Sequence, residues 1–247
     1  LLRGEEVTAK SSWYDLRNAR IHLKPYTYPH PEVAVASAVT PSGGMLAGRY
    51  GLGMLCVAAT ETQGFNVLAE NWKVANEIAA EHGNRMDPRR LRLVAPMYIA
   101  ETREKARADV AAGLARWCDY YDRVAPKGMG SFSGRGDPVD LLVGSGRAVI
   151  GTPEDAIAMI ERLQQKQGEF GVVLIQAMNW ADWENTKKSY ELYARFVMPY
   201  FEKVNELRRR SFERLKEDFE KADAERQQGV DLAFARWRER SKNKSTT

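Results

Sequence analysis

The chain has 247 residues, a formal net charge of +4, and 44% hydrophobic and 28% charged residues, which is the balance of a globular protein rather than a disordered or fibrous one. No apolar run approaches the ~18 residues of a membrane-spanning helix, and the first ten residues lack the pattern of a signal peptide, so we expect a cytoplasmic protein without a membrane partner. The charge excess lies mostly in residues 202 to 247, where 13 basic and 10 acidic residues are interleaved, which argues against nucleic-acid binding.

Four short apolar runs dominate the first two hundred residues. They lie at residues 33 to 38, 53 to 58, 91 to 100 and 170 to 177. Residues 5 to 25, before the first run, are predicted to form a pair of strands outside the main sheet. Each run is nearly continuous rather than alternating, which is typical of strands buried on both faces. Helical patterns separate them, so the sequence predicts a parallel sheet with crossover helices.

The intervening helices have clear start and stop signals. One pattern ends at Gly83, and the next begins at Thr102. Thr152, Pro153 and Asp155 have the spacing of a capping box with proline at the first helical position, which predicts a helix start there.

An α/β fold with four parallel strands is compatible with an open doubly wound sheet or with part of a closed barrel. A complete (β/α)8 barrel needs eight strands in ~250 residues, so we interpret residues 1 to 205 as the C-terminal half of such a barrel. The strand positions expected to face its interior, beside a missing wall, are Val35, Met54, Met97 and Leu174.

Residues 206 to 247 form a second segment, a charged amphipathic helical tail. Phe212, Leu215, Phe219 and Ala222 are spaced at threes and fours, and the seam is lost near Gly229. We interpret the tail as a packing arm over the barrel or as a subunit contact rather than a nucleic-acid arm, despite the run of arginines at residues 208 to 210, because acidic residues are interleaved throughout the tail.

The corner that follows the first apolar run is polar and rich in glycine. Thr40, Ser42, Gly43 and Gly44 follow the strand directly, where the free N–H groups of a helix start can surround an anion. Alternatively, Thr40 only caps the helix and the two glycines let it pack closely against the sheet. The residues alone leave both interpretations open.

Residues 33 to 55 ("VAVASAVTPSGGMLAGRYGLGML") and 149 to 201, ending in "ELYARFVMPYF", together resemble the C-terminal half of the bacterial luciferase-like flavin-dependent monooxygenases, in particular their limonene monooxygenase branch. The similarity extends over roughly residues 10 to 205 and rests on order and spacing as a set. It implies a (β/α)8 barrel of the TIM-barrel type.

The resemblance also implies a cofactor site, since the loop after the fifth barrel strand holds the phosphate of reduced FMN, or of a deazaflavin in some branches. The residues carried over to this chain by position are Ser37, Val39, Thr40, Ser42, Gly43 and, beside the ribityl chain, Val57. Val39 stands where several members have an acidic residue or serine, so only its backbone N–H can serve.

The activity implied is a monooxygenation in which reduced FMN, supplied by a separate flavin reductase, and oxygen act on a small apolar, terpene-like substrate. The alternatives are a deazaflavin-dependent oxidoreductase and a non-catalytic barrel subunit that binds a partner through the tail. We expect a homo-oligomer, because half a barrel leaves strand edges unpaired.

Other signals of chemistry are few, and the catalytic residues stay unknown. The sequence has no dinucleotide, Walker or nucleophile-elbow motif, and its two cysteines and three histidines predict no metal site. Trp180 and Trp183 follow the last strand, where they wall a substrate pocket or pack the last helix. Residues 125 to 148 have the glycine-rich character of an active-site lid or a disordered loop.

Overall fold

A computed structural model describes residues 1–124, 136–176, 178–203 and 206–244. The chain divides into two compact units, Leu1–Tyr193 and Ala194–Thr247. The first unit begins with two antiparallel strands, β1 (Val7–Lys10) and β2 (Asp15–Ala19), within residues 5 to 25, where a pair of strands was predicted.

A four-stranded parallel sheet organises the first unit. Its strands are β3 (Ala34–Ser37), β4 (Gly53–Cys56), β5 (Leu91–Ala95) and β8 (Val172–Ile175), in the spatial order β3-β4-β5-β8. All three pairings are parallel. The four strands predicted from the apolar runs are therefore confirmed, in sequential order.

The third apolar run forms two strands rather than one. Pro96 separates β5 from β6 (Met97–Ile99), and β6 pairs in parallel with β7 (Val149–Gly151) in a small sheet of its own. Proline has no N–H to donate to a ladder, while its carbonyl still accepts from Val149 N at 3.0 Å. The chain thus changes partner strand at Pro96.

Helices connect the strands as the periodicity predicts. They are α1 (Ser42–Tyr50), α2 (Thr62–Glu81), α3 (Arg103–Val124), α4 (Pro138–Gly144), α5 (Pro153–Gln167) and α6 (Trp183–Leu192), with a 3-10 turn at Pro88–Arg90. The predicted capping box is present, because Thr152 N donates to Asp155 Oδ2 at 3.0 Å and the Thr152 side chain meets the backbone of the first turn. Thr102 caps α3 by accepting from Lys105 N at 3.1 Å.

The two faces of the sheet differ in burial. Met54 is fully buried on the face that also carries Ser37 and is covered by α1, whereas Leu174 is 37% exposed on the opposite face. The prediction that Met54 and its register neighbour Val35 face an open barrel interior is therefore wrong. Successive residues of a strand point to opposite faces of the sheet. When every residue of the strand is apolar, the sequence does not show which residues point to which face.

One core cluster of the first unit lies where α3 and α4 pack against β6 and β7. Its buried members are Tyr98, Ala100, Ala106, Val110, Leu114, Cys118, Val139, Leu142, Ala148, Ile150 and Trp180.

The second unit is helical. A π-helical turn over Tyr193–Val197 leads into α7 (Met198–Phe201), and α8 (Glu206–Lys244) is a single helix of 39 residues that begins where the amphipathic tail was predicted. Across the described residues, no helix combines the length and the apolarity needed to cross a bilayer.

Candidate functional site

The start of α1 forms the centre of the predicted cradle. Pro41 takes the N-cap position with φ −71° and ψ −9°, and no side chain caps the helix. The first N–H groups of a helix have no acceptor within it, so those of Ser42, Gly43 and Gly44 point outward from the corner. Thr40 Oγ1 and Ser42 Oγ lie beside them, 2.7 Å apart in one exposed hydrogen bond. Uncapped N–H groups next to two hydroxyls are donors suited to an anion.

The two glycines of the corner serve packing. A Cβ added to Gly43 would lie 2.8 Å from the carbonyl oxygen of Ala36 and 2.8 Å from Ser37 Cβ. A Cβ on Gly44 would lie 2.6 Å from the carbonyl oxygen of Asn71 in α2. Both side-chain directions therefore point into the protein, and the glycines bring α1 close to β3 and α2.

The remaining predicted cofactor residues occupy different environments. Ser37 is 3% exposed beneath α1, and its hydroxyl has no hydrogen-bond partner among the described residues. Val39 is half-buried in the corner. Val57, at the end of β4, is largely exposed and donates its N–H to the carbonyl oxygen of Ser37 at 2.9 Å. The structure thus brings Thr40, Ser42 and the Gly43 N–H together, with Ser37 below them and Val57 on the next strand.

A cavity of about 200 Å³ opens at the same edge of the sheet. It lies at the carboxyl ends of β4, β5 and β8, where Val57, Pro96 and Gln176 contribute to its wall. Because Val57 is bonded to Ser37 at the end of β3, the cavity lies one strand away from the corner. Ligand sites of parallel α/β folds form at this edge.

A partly buried ion pair forms part of the cavity wall. Arg147 Nε lies 2.7 Å from Glu61 Oε2 and Arg147 Nη2 lies 3.0 Å from Glu61 Oε1, with the two side chains 12% and 27% exposed. The carbonyl oxygen of Arg147 also accepts from Thr60 Oγ1 at 2.7 Å. Two separate interactions therefore hold the segment before β7 against the start of α2.

Aromatic rings form the opposite wall. Trp117 packs against Tyr121 and Trp180, with ring centroids 4.6 Å and 5.7 Å away. Burial raises the pKa of Tyr121, and the Glu61 carboxylate adds to the shift, so the phenol stays neutral at physiological pH. Trp180 is 3% exposed and both lines the cavity and belongs to the core.

The second predicted tryptophan lies elsewhere. Trp183 is 69% exposed in the first turn of α6, where Lys187 Nζ lies 5.7 Å from its ring centroid. It does not line the cavity beside the corner. Of the predicted lid, residues 125 to 135 lie outside the described residues, and the part that follows contains the helix α4.

Sequence reasoning missed most of the cavity. Glu61 and Arg147 are 86 residues apart, and Trp117 and Tyr121 lie inside an ordinary amphipathic helix. The available signal was local: Arg147 follows a glycine-rich connection, and Trp117 and Tyr121 are four residues apart on one face of α3. Within the described residues, no group of three His, Cys, Asp or Glu side chains is placed to hold a metal ion.

The arrangement suits a ligand with an anionic end and an apolar body. The corner offers uncapped backbone N–H groups beside two exposed hydroxyls, and the cavity offers aromatic surface with an ion pair whose two charges compensate each other. Among the described residues, neither region presents a nucleophile activated by a neighbouring base. Burial raises the pKa of Cys56, next to Val57, to about 12, which keeps that thiol protonated.

Comparisons with known proteins place these features in context. The family model described as luciferase-like monooxygenase matches residues 1–169. A limonene 1,2-monooxygenase of Rhodococcus erythropolis is 42% identical over 201 residues, which are 81% of this chain and 51% of that protein. A 4-hydroxyprotoasukamycin monooxygenase of Streptomyces nodosus subsp. asukaensis is 34% identical over 81% of this chain and 55% of its own length. The chain thus spans about half the length of the curated relatives it matches.

Solved structures are similar at the level of the fold. The monooxygenase RslO1 from Streptomyces bottropensis superposes with a TM-score of 0.66 at 20% identity, over 81% of this chain and 57% of its own. The oxygenating constituent of 3,6-diketocamphane monooxygenase from Pseudomonas putida, a Baeyer-Villiger enzyme solved with FMN, gives 0.61 at 21% identity, over 80% and 59%. These likenesses bear on the fold alone, and they confirm the predicted TIM-barrel-type α/β fold.

Proposed function

Because this chain belongs to the luciferase-like monooxygenase family, we propose that its natural protein is a flavin-dependent monooxygenase that oxygenates a small apolar, terpene-like substrate with reduced FMN and oxygen. The observation that carries the proposal is the uncapped start of α1 with its pair of hydroxyls, one strand away from an aromatic cavity. The limonene monooxygenase relative supports the terpene-like substrate.

The proposed cofactor residues have distinct roles in this arrangement. The hydroxyls of Thr40 and Ser42 and the N–H groups at the start of α1 hold the FMN phosphate, assisted by the positive end of the helix dipole. The backbone of Val39 adds a donor, and Val57 lies beside the ribityl chain. Ser37 supports the corner from below, since its hydroxyl is enclosed between β3 and α1.

Bound FMN would supply the oxygen-activating chemistry, and the protein's own contribution would be orientation and the exclusion of water. Trp117, Tyr121 and Trp180 give the substrate an apolar wall, and Glu61 keeps the charge of Arg147 compensated. A cavity without net charge favours an uncharged substrate, because an ionic one would have to be desolvated without a counter-ion. Trp183 has no assigned contact in this proposal.

The decisive experiment supplies the natural protein with FMN, a flavin reductase with its reductant, and a monocyclic terpene under labelled oxygen gas. We expect a product that contains one labelled oxygen atom and that disappears when the reductase is omitted. Thr40→Val should reduce product formation at limiting FMN, because it removes one phosphate contact while keeping the shape of the side chain.

Two other outcomes correspond to the alternative functions. Turnover with a reduced deazaflavin in the absence of oxygen would replace the proposal with a hydride-transferring oxidoreductase. Failure to retain either cofactor would favour a non-catalytic barrel subunit.

A further inference from the structure

Helix α8 carries an exposed apolar stripe. Its members lie on one side of the helix at helical spacing and are between 41% and 68% exposed; they are Phe212, Leu215, Phe219, Val230, Phe234 and Trp237. From Phe212 to Trp237 the stripe is about 38 Å long, at about 1.5 Å per residue. An exposed stripe of this length marks an interaction surface.

The spacing within the stripe is a palindrome. Phe212, Leu215 and Phe219 are separated by three and then four residues, and Val230, Phe234 and Trp237 by four and then three. The two triplets are mirror images about a point between residues 224 and 225. A helix with such a pattern matches a second copy of itself when the two run in opposite directions.

The charges on the helix follow the same division. Residues 206 to 225 contain six Lys/Arg and seven Asp/Glu, a net charge of −1, whereas residues 226 to 244 contain six Lys/Arg and two Asp/Glu, a net charge of +4. A parallel pair would set the strongly basic half of one helix against the same half of the other. An antiparallel pair sets each basic half against the half that carries most of the acidic residues.

We propose that α8 is a dimerisation helix that pairs antiparallel with α8 of a second copy of this chain. In this arrangement Phe212 packs on Trp237 of the second copy, Leu215 on its Phe234, and Phe219 on its Val230. The centre of the seam carries Asp223 and Arg226, paired within the helix at 2.8 Å, and the same pair of the second copy meets them there. A polar centre of this kind fixes the register of two helices.

The interface has the size of a stable one. Burying the exposed part of four aromatic rings, a leucine and a valine from each copy removes on the order of 1,200 Å² from water, with aromatic rings the largest contributors. Specific protein interfaces begin at about this area. The two-fold symmetry is closed, so the contact yields dimers rather than fibres.

A membrane surface fits the helix less well. Helices that lie on membranes carry basic residues along their polar face, and the first half of this stripe is flanked by an acidic excess that anionic lipid would repel. The dimer does not depend on the proposed flavin chemistry, and its test needs no cofactor.

The first experiment measures the mass of the whole chain in solution by light scattering and sedimentation. We expect a dimer, and we expect Phe234→Asp to weaken it at least about 30-fold, the loss typical of a buried interface anchor. The matched control is Leu232→Asp, because Leu232 and Phe234 are both 57% exposed and Leu232 lies on the other side of the helix. The control should dimerise like the wild type.

A monomeric wild type, or a dimer that survives Phe234→Asp, would overturn the proposal, and so would equal effects of the two substitutions. Helix content measured by circular dichroism separates loss of pairing from loss of the helix.

The second experiment tests the direction of the helices. Chains carrying Leu215→Cys and chains carrying Phe234→Cys are oxidised separately and as a mixture. Antiparallel pairing predicts a disulfide between the two kinds of chain in the mixture and little linkage in either alone. Efficient linkage within the Leu215→Cys sample would show a parallel pair instead, and binding of the wild type to anionic phosphatidylserine vesicles without dimerisation would assign the stripe to a membrane surface.

Discussion

Cys56 ends β4 on the face covered by α1 and is 3% exposed. Burial raises its pKa to about 12, compared with about 8.5 for an unfolded cysteine. A group whose pKa is raised by folding stabilises the fold fully below the unfolded pKa and loses that contribution as the pH rises towards the folded one. The relevant window is therefore alkaline, between about pH 8.5 and 12.

We predict that unfolding free energies fall more steeply with pH for the wild type than for Cys56→Ala in this window, by about 2 kcal/mol at pH 10. Urea titrations at pH 7 and pH 10 measure the difference. Cys118→Ala is a second test, because its pKa is raised to about 11, and at pH 10, below both folded pKa values, the two thiols should contribute nearly equally. Parallel pH profiles for Cys56→Ala and the wild type would contradict the assignment.

At the scale of residues, the grouping of Thr40 and Ser42 was easier to predict from the sequence than the lining of the cavity. Thr40 and Ser42 could be found because local chain geometry places them at the start of a helix, and their hydroxyls do meet. The partners Glu61 and Arg147 could not, since only the folded sheet brings their segments together. Ser37 lies within the corner, but its side chain faces α1 because it points to the buried face of β3.

At the scale of elements, the glycine-rich corner packs closely as one interpretation predicted, although Thr40 does not cap α1, and anion binding there stays a prediction. The side-chain directions of Gly43 and Gly44 face β3 and α2, so these glycines permit close packing. The N–H groups of the same turn face outward and stay available to a ligand. Substituting Gly43 with a charged residue would therefore disturb packing before it reached a bound phosphate.

We predict that Gly43→Ala destabilises the protein by about 1–3 kcal/mol, because the new methyl group overlaps the backbone of β3. Gly144→Ala is the matched control. A Cβ there meets no atom within 4 Å, at the last residue of α4. Chemical denaturation of both variants measures the difference, and equal stabilities would show that α1 is not held against β3 as described.

The ion pair between Glu61 and Arg147 joins the start of α2 to the segment before β7. Removing one partner leaves the other charge poorly solvated, so we predict that Glu61→Gln and Arg147→Gln each cost about 1–3 kcal/mol. The double variant should cost less than the sum of the two, and the difference in a double-mutant cycle reports the coupling. Additive costs would mean that the two side chains act independently.

At the scale of the whole molecule, the order of the four strands and the α/β fold class could be predicted from the sequence, because each strand of the parallel sheet is a local apolar run. The change of partner strand at Pro96 and the sheet face on which Met54 lies were not predictable. Both depend on contacts between segments that are distant in the sequence. The chain matches about half the length of its curated relatives, and the corner at the start of α1 falls within the residues that match the family model.

The most direct test of the account compares the affinities of FMN and riboflavin, which differ only in the phosphate. Fluorescence titration should give tighter binding of FMN by at least about tenfold, since several charge-assisted hydrogen bonds contribute. Ser42→Asp should bring that ratio close to one by placing a carboxylate at the phosphate position, while Met45→Asp, an exposed position one turn further along α1, should leave it nearly unchanged. Equal affinities of the wild type for FMN and riboflavin, or a ratio that Ser42→Asp leaves intact, would contradict the proposal that the start of α1 holds a flavin phosphate.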